Sequence, residues 1–254
     1  MRRLLLILFV VLLVACGSSS SFVLEGVITD AEDGERVCLS YPVERDGIWR
    51  KQCDTTYIDG GRFRFEGEVD DLVYSELTLQ NMDYVQIFLE PSKIRFSAER
   101  NALYDYSLSG LSAGNDLQEY RRAFAEYERA VYEKSYEAMR KNEVWLEASN
   151  AGLPNVDDLW AEFYAVVMEH HAISNRWPEL AVEFVKSNPN NVLVPHIIDG
   201  LVCNGYDEQV IDSLVNSLLA EQLHSTLGEL MTRRRELLKL GSGQVGDAAL
   251  DFPL

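Results

Sequence analysis

The chain has few cysteines, little positive charge and one long apolar run. Among its 254 residues there are four cysteines, and no two of them are spaced C-x-x-C. That excludes a dithiol redox motif within the chain. Lys and Arg total 23 against 41 Asp and Glu, a formal net charge of -18. So acidic a surface repels phosphate backbones and excludes nucleic acid as a partner, and it does not lie flat on anionic lipid. The acid is spread along the chain rather than gathered in a tail, as solubility requires. No run beyond the N-terminus is long and apolar enough to span a bilayer, which takes ~20 residues.

What is present begins at the N-terminus. Arg2 and Arg3 precede the apolar run Leu4 to Ala15, and Cys16 follows. A run this short suits the h-region of a signal peptide. The junction Leu13-Val14-Ala15-Cys16 resembles the bacterial lipobox, which implies cleavage before Cys16 and lipidation of its thiol. The expectation is a signal peptide over 1–15 and a Gly/Ser tether over 16–21. The protein is then held to the membrane by acyl chains on Cys16. The site expected is the bacterial cell envelope, at the outer membrane and facing the periplasm. Disulfides persist there, which makes Cys38, Cys53 and Cys203 relevant.

From residue 22 to 108 the pattern is strand-like. FVLEGVIT, RVCLSY, RFRFEGEV, YSELTL, YVQIFLE and KIRFSA are short runs rich in β-branched and aromatic residues. Turn residues such as Asp33-Gly34, Asp46-Gly47, Asp59-Gly60-Gly61, Asn81-Met82-Asp83 and Pro91-Ser92 separate them. The spacing predicts an antiparallel β-sandwich or open barrel. From 109 to 241 the period changes. Leu117, Tyr120, Phe124, Tyr127, Val131 and Ala138 fall at helical steps, with Asn115 or Asp116 as cap. Asn155 is the expected cap of a second helix carrying Leu159, Trp160, Phe163, Tyr164, Val167 and Met168. Pro178, the stretch SNPNN, Gly205-Tyr206-Asp207 and Gly241 punctuate the remainder into an all-helical bundle of about five helices. The fold class expected is therefore α+β.

These pieces, in this order, resemble lipoproteins of the thioredoxin-like family of AhpC/TSA or TlpA/ResA type. Those carry an N-terminal β-rich domain of unknown function, then a helical segment, then a thioredoxin-like domain. The marks are Gly26; Val37, Leu39 and Tyr41; Asp54-Thr55 before Asp59-Gly60; Phe63, Phe65 and Gly67; Phe88-Leu89-Glu90-Pro91 and Ile94; Ser109-Gly110; Asn115-Asp116; and Phe184 with Asn188-Pro189. Gly246, Ala249, Asp251, Phe252 and Leu254 resemble the opening strand of the thioredoxin-like domain, with Leu250 at a usual proline and Pro253 at a usually polar position. The resemblance thus implies that residues 242–254 are a linker and the stub of that domain. Its C-x-x-C would lie beyond Leu254.

No catalytic constellation or cofactor motif is legible. Cys38 and Cys53 are a candidate disulfide. A turn on Glu44-Arg45-Asp46-Gly47 sets Cys38 opposite Cys53, close enough to bridge. A two-residue turn at Asp46-Gly47 shifts the pairing by two and leaves free thiols. His170 and His171 are adjacent and point about 100° apart, so they do not make the i, i+4 pair of a helical metal site. His196, His224 and Cys203 have no visible partner. Tyr132 and Tyr136 lie off the main helical seam and are candidates for contact with a partner or a neighbouring domain. The function expected is a lipid-anchored, non-catalytic module that positions a protein partner or substrate. The alternative is a truncated thiol–disulfide oxidoreductase or peroxidase-like enzyme.

Overall fold

The structure is a computed structural model and describes residues 20–80 and 84–241. The expected signal peptide and Cys16, the expected turn Asn81-Met82-Asp83 and the expected stub 242–254 lie outside the described residues. The fold is α+β. Eight strands come first: β1 (Ser21–Thr29), β2 (Arg36–Arg45), β3 (Ile48–Tyr57), β4 (Arg62–Glu68), β5 (Val73–Leu79), β6 (Tyr84–Leu89), β7 (Lys93–Glu99) and β8 (Ser107–Ser109). They form two four-stranded sheets, β4-β1-β7-β8 and β3-β2-β5-β6.

Alternation places one apolar face of each sheet on a shared core. Phe22, Leu24, Phe63, Phe65, Ile94 and Phe96 from the first sheet meet Val37, Leu39, Leu77, Ile87 and Leu89 from the second. The sandwich is not wholly antiparallel, because β1 pairs with β7 in parallel while pairing antiparallel with β4. The cause is the short connection after β6. Pro91-Ser92 carries the chain across to the first sheet, where the Ser92 carbonyl accepts the Val23 amide at 2.9 Å and sets β7 alongside β1. Strand β3 was not among the runs expected from the sequence. It is an edge strand with no buried residue, so core alternation does not mark it. Gly26 is a close-approach glycine: it faces Phe63 in the β1–β4 register, and a Cβ there would overlap the Phe63 ring.

The helical part comprises α1 (Gly114–Asn150), α2 (Val156–Ser174), α3 (Trp177–Ser187), α4 (Val194–Cys203), α5 (Glu208–Asn216), the single turn α6 (Ala220–Leu223) and α7 (Thr226–Gly241). That exceeds the expected five, because a break at 175–176 separates α3 from α2 and the stretch 208–223 divides. Leu219 adopts an extended conformation, and the Gln222 side chain accepts its amide at 2.9 Å as α6 begins. Neither Asn115 nor Asp116 caps α1, which starts one residue earlier without a side-chain cap; Asp116 instead accepts the Val192 amide at 3.1 Å. Asn155 does sit at the N-cap of α2, but its side chain makes no capping bond. Phe124, Phe184, Ile197, Ile198, Leu201 and Met231 build the helical core. A third cluster, with Leu72, Phe88, Leu117, Leu193 and Leu227, joins the outer face of the second sheet to the helices.

Candidate interaction surface

The joint between sheet and helices fixes everything beyond it. Tyr74 and Phe88 are cross-strand partners on the outer face of the second sheet. His196 of α4 stacks on Tyr74 at 4.4 Å between ring centroids and meets Phe88 edge-on at 5.3 Å. Burial, then the Arg234 guanidinium, pushes His196 down to about 4, so the imidazole is neutral. One turn on, Asp199 pairs with Arg234 at 2.7 Å, although burial still pushes its carboxyl up. Glu90 accepts both the amide and the hydroxyl of Ser112, fixing the loop that enters α1. A cleft of about 330 Å³ runs along this joint, and its charged groups are largely spent on each other, Lys51 on Glu76 and Arg234 on Asp199.

Beyond the joint, the distal part of α1 and all of α2 form a helical hairpin. At 37 residues α1 is about 55 Å long. Lys134 bridges to Glu169 at 2.6 Å and Lys141 to Glu162 at 2.8 Å, tying the two helices together. Trp145 of α1 packs on Phe163 and Trp160 of α2, with centroids at 6.5 and 4.9 Å. Along α2 only Val166 is fully buried. Its outer face is the unusual feature. Trp160, Tyr164 and Met168, spaced i, i+4 and i+8, are 44%, 51% and 50% exposed. Ala161, Ala165, His171 and Ala172 are exposed beside them. Between Trp160 and Ala172 that face carries no formal charge, because Glu162 and Glu169 are drawn toward α1. In the sequence Trp160, Tyr164 and Met168 stand in one helical run with Leu159, Phe163 and Val167, which does not say which of them meet α1. The signal that separates them is a second apolar stripe, offset by one position from Leu159, Phe163 and Val166.

The residues singled out in the sequence fall as follows. Tyr132 is occupied within the chain: its ring lies 4.6 Å from Tyr104, and its hydroxyl donates to the Asn101 carbonyl at 3.2 Å. It therefore serves the contact between α1 and the neighbouring sheet domain. Tyr136 stacks on Tyr132 at 6.5 Å, lies under Arg140 and is 47% exposed. Cys38 and Cys53 are not opposed. Asp46 and Gly47 both take positive φ, 55° and 75°, and make a two-residue turn that pairs Cys38 with Thr55 and Cys53 with Ser40. The two thiols are diagonal neighbours on the outer face of the sheet and are unbridged. The two side chains touch without being bonded. Burial and the adjacent Cys53 push the Cys38 thiol up. Cys203, which has no visible partner in the sequence, is exposed at the end of α4; partial burial of its thiol and the nearby Asp199 push it up, away from thiolate chemistry. His170 and His171 have centroids 5.9 Å apart. Among the described residues no three His, Cys, Asp or Glu side chains converge as a metal site, and no helix is long and apolar enough to cross a membrane.

Comparison with known proteins bears on the sheet domain. Residues 22–117 match the family model described as Domain of unknown function (DUF4369). The sandwich is a DUF4369 domain. Its match runs past β8 to Leu117, the first buried residue of α1, so the DUF4369 unit includes the turn of helix that packs against Leu72 and Phe88. No curated protein and no solved structure matches the chain.

Proposed function

We propose that this chain is a non-catalytic positioning module of the bacterial cell envelope. It is anchored through lipid on Cys16 at the outer membrane, faces the periplasm, and holds a protein partner or substrate beside the membrane. The observation that carries this reading is the outer face of α2, an apolar, charge-free stripe on a chain of net charge -18. Exposed apolar patches of this kind mark interaction sites. The DUF4369 domain packs on α4 through Tyr74, Phe88 and His196, and on the base of α1 through Leu72, Phe88 and Leu117. Two experiments test the reading. Radiolabelled palmitate should label the wild-type chain and not the Cys16→Ser variant. A photo-cross-linker placed at Tyr164 in cells should trap a protein, and one placed at exposed Glu126 should trap far less. Equal trapping at both positions counts against the module.

A second reading has one feature in its favour. The DUF4369 domain, followed by helices and by Gly246, Ala249, Asp251, Phe252 and Leu254, supports membership of a thioredoxin-like lipoprotein. The chain would then be the membrane-proximal part of a thiol–disulfide oxidoreductase or peroxidase-like enzyme. An insulin-reduction assay on this chain should be negative under both readings, since its sequence holds no C-x-x-C, and dithiol-dependent turnover would overturn the non-catalytic assignment.

A further inference from the structure

We propose that the outer face of α2 is a self-association surface, on which a second copy of this chain seats its own α2 antiparallel about a two-fold axis near Tyr164 and Met168. The proposal rests on the positioning role above and names the occupant of its site.

Helix α2 is apolar on two sides. Phe163 and Val166 turn toward α1, Trp160 reaches Trp145 of α1 while staying half-exposed, and Tyr164 and Met168 are exposed with Ala161, Ala165 and Ala172. An apolar helix face is normally buried, and among the described residues nothing covers this one. The alanines between the large side chains let a second helix approach closely. The charges at the two ends of the face select the partner. Asp157 and Asp158 are exposed at its start, and Arg176 is exposed just past its end. A second α2 running antiparallel sets each acidic end against the other copy's basic end; a parallel one opposes like with like. An anionic lipid surface fits poorly, since the face lacks the Lys and Arg that such surfaces recruit.

The area sets the strength. Residues 160–172 span about 18 Å. With two half-exposed aromatics, a Met and three Ala, the face buries about 400 Å² per copy. That is near half of the ~800 Å² per partner of a standard interface. The dimer is therefore weak when free in solution and forms on the membrane, where anchoring concentrates the copies. A two-fold axis along the membrane normal sends both Cys16 anchors into the same leaflet.

The test is cross-linking of the lipidated full chain in envelopes, with Cys38, Cys53 and Cys203 changed to Ser and a bis-maleimide spanning ~10 Å, a reach set against helix rise. In the antiparallel dimer the two copies of residue 165 are offset by about 3 Å along the helix axis, and those of residue 161 by about 15 Å. Ala165→Cys should cross-link to itself, Ala161→Cys should not, and Ala161→Cys co-expressed with His171→Cys should. Adding Tyr164→Glu to the Ala165→Cys chain should cut the dimer at least tenfold while circular dichroism and melting stay unchanged. Absence of dimer in every pairing, equal cross-linking at 161 and 165, or indifference to Tyr164→Glu overturns the proposal. If Ala165→Cys never self-links yet Tyr164→Glu abolishes trapping of a different protein, the second copy is wrong and the positioning role stands. If the face traps nothing, both fall.

Discussion

His196 of α4 and Tyr74 of β5 lie face to face with ring centroids 4.4 Å apart, their planes inclined by 21°. This contact is the hinge pin between a sandwich and a helical bundle that otherwise have separate cores. Phe88 closes the edge of the imidazole, and Leu72, Leu193 and Leu227 fill the surroundings. Polar bonds fix the angle around it, with Asp71 accepting the Thr226 amide at 3.3 Å as α7 begins. The hairpin that presents Trp160, Tyr164 and Met168 is thus carried on a rigid joint.

That joint should be acid-sensitive. His196 has a folded value near 4, lowered by burial and by Arg234 on α7; Asp199 is the acidic group on its own helix. Unfolded, it titrates near 6.5. The unfolded chain therefore binds the extra proton first. The contribution is fully present above about pH 6.5 and is lost as pH falls toward 4, of the order of 3 kcal/mol in all. His196→Phe keeps the aromatic packing and removes the titration. Urea unfolding from pH 7.5 to 4.5 should show a shallower acid decline for the variant; parallel declines would remove His196 as the cause.

Glu128 on α1 should give the opposite slope. Burial pushes its carboxyl up to about 7, only partly offset by Arg121. The folded state favours the protonated form, so stability is fully present below about pH 4.5 and is lost as pH rises to 7, of the order of 2–3 kcal/mol. Glu128→Gln should stabilise the protein at pH 8 and do little at pH 4.5. Thermal melts of both proteins at the two pH values check this, and an equal effect at both pH values would contradict it.

Asn191 is a polar knot in the helical region. Its amide nitrogen donates to the Asp116 carbonyl at 3.0 Å and to Glu119 at 3.1 Å, and its side-chain oxygen accepts the Leu193 amide at 3.0 Å. Gln222 donates to its carbonyl at 3.0 Å. Asn191→Ala strands buried groups on α1 and at the start of α4, at a cost of about 2–3 kcal/mol. Asn191→Asp should be at least as damaging, since it sets a carboxylate against Glu119. Chemical unfolding should rank the three proteins in that order.

The legible parts of the fold were those where one face is buried and the other wet. Phe63 and Phe65 alternating with Arg62 and Arg64 mark β4, and Leu117 with Phe124 mark the packed base of α1. Three features were less legible. Strand β3 carries no core residue. The parallel β1–β7 pair depends on where the chain crosses between sheets, which no local pattern records. The residues of the α2 face are visible on an expected helix, but their exposure is not, because an apolar stripe reads alike whether its partner is within the chain or outside it. Tyr132 belongs to the same class: it stands off the seam because the sheet domain, at Tyr104 and Asn101, is what it meets.

The Asp46-Gly47 turn decides the chemistry of the cysteines. Two positive-φ residues make a tight hairpin turn whose twist suits the flanking strands. With Arg45 facing Ile48, every later pair follows, and Cys38 meets Thr55. Setting Cys38 directly opposite Cys53 would require β3 to slip by two residues against β2, undoing the pairing of Tyr41, whose hydroxyl donates to Asp54 at 2.8 Å. The chain carrying Cys16→Ser, unfolded without reductant, should therefore titrate three thiols. Cys53→Ser on the exposed face should shift stability by less than about 0.5 kcal/mol. Recovery of one thiol rather than three, with a loss of several kcal/mol on Cys53→Ser, would show that the strands have slipped and that the turn has opened to four residues.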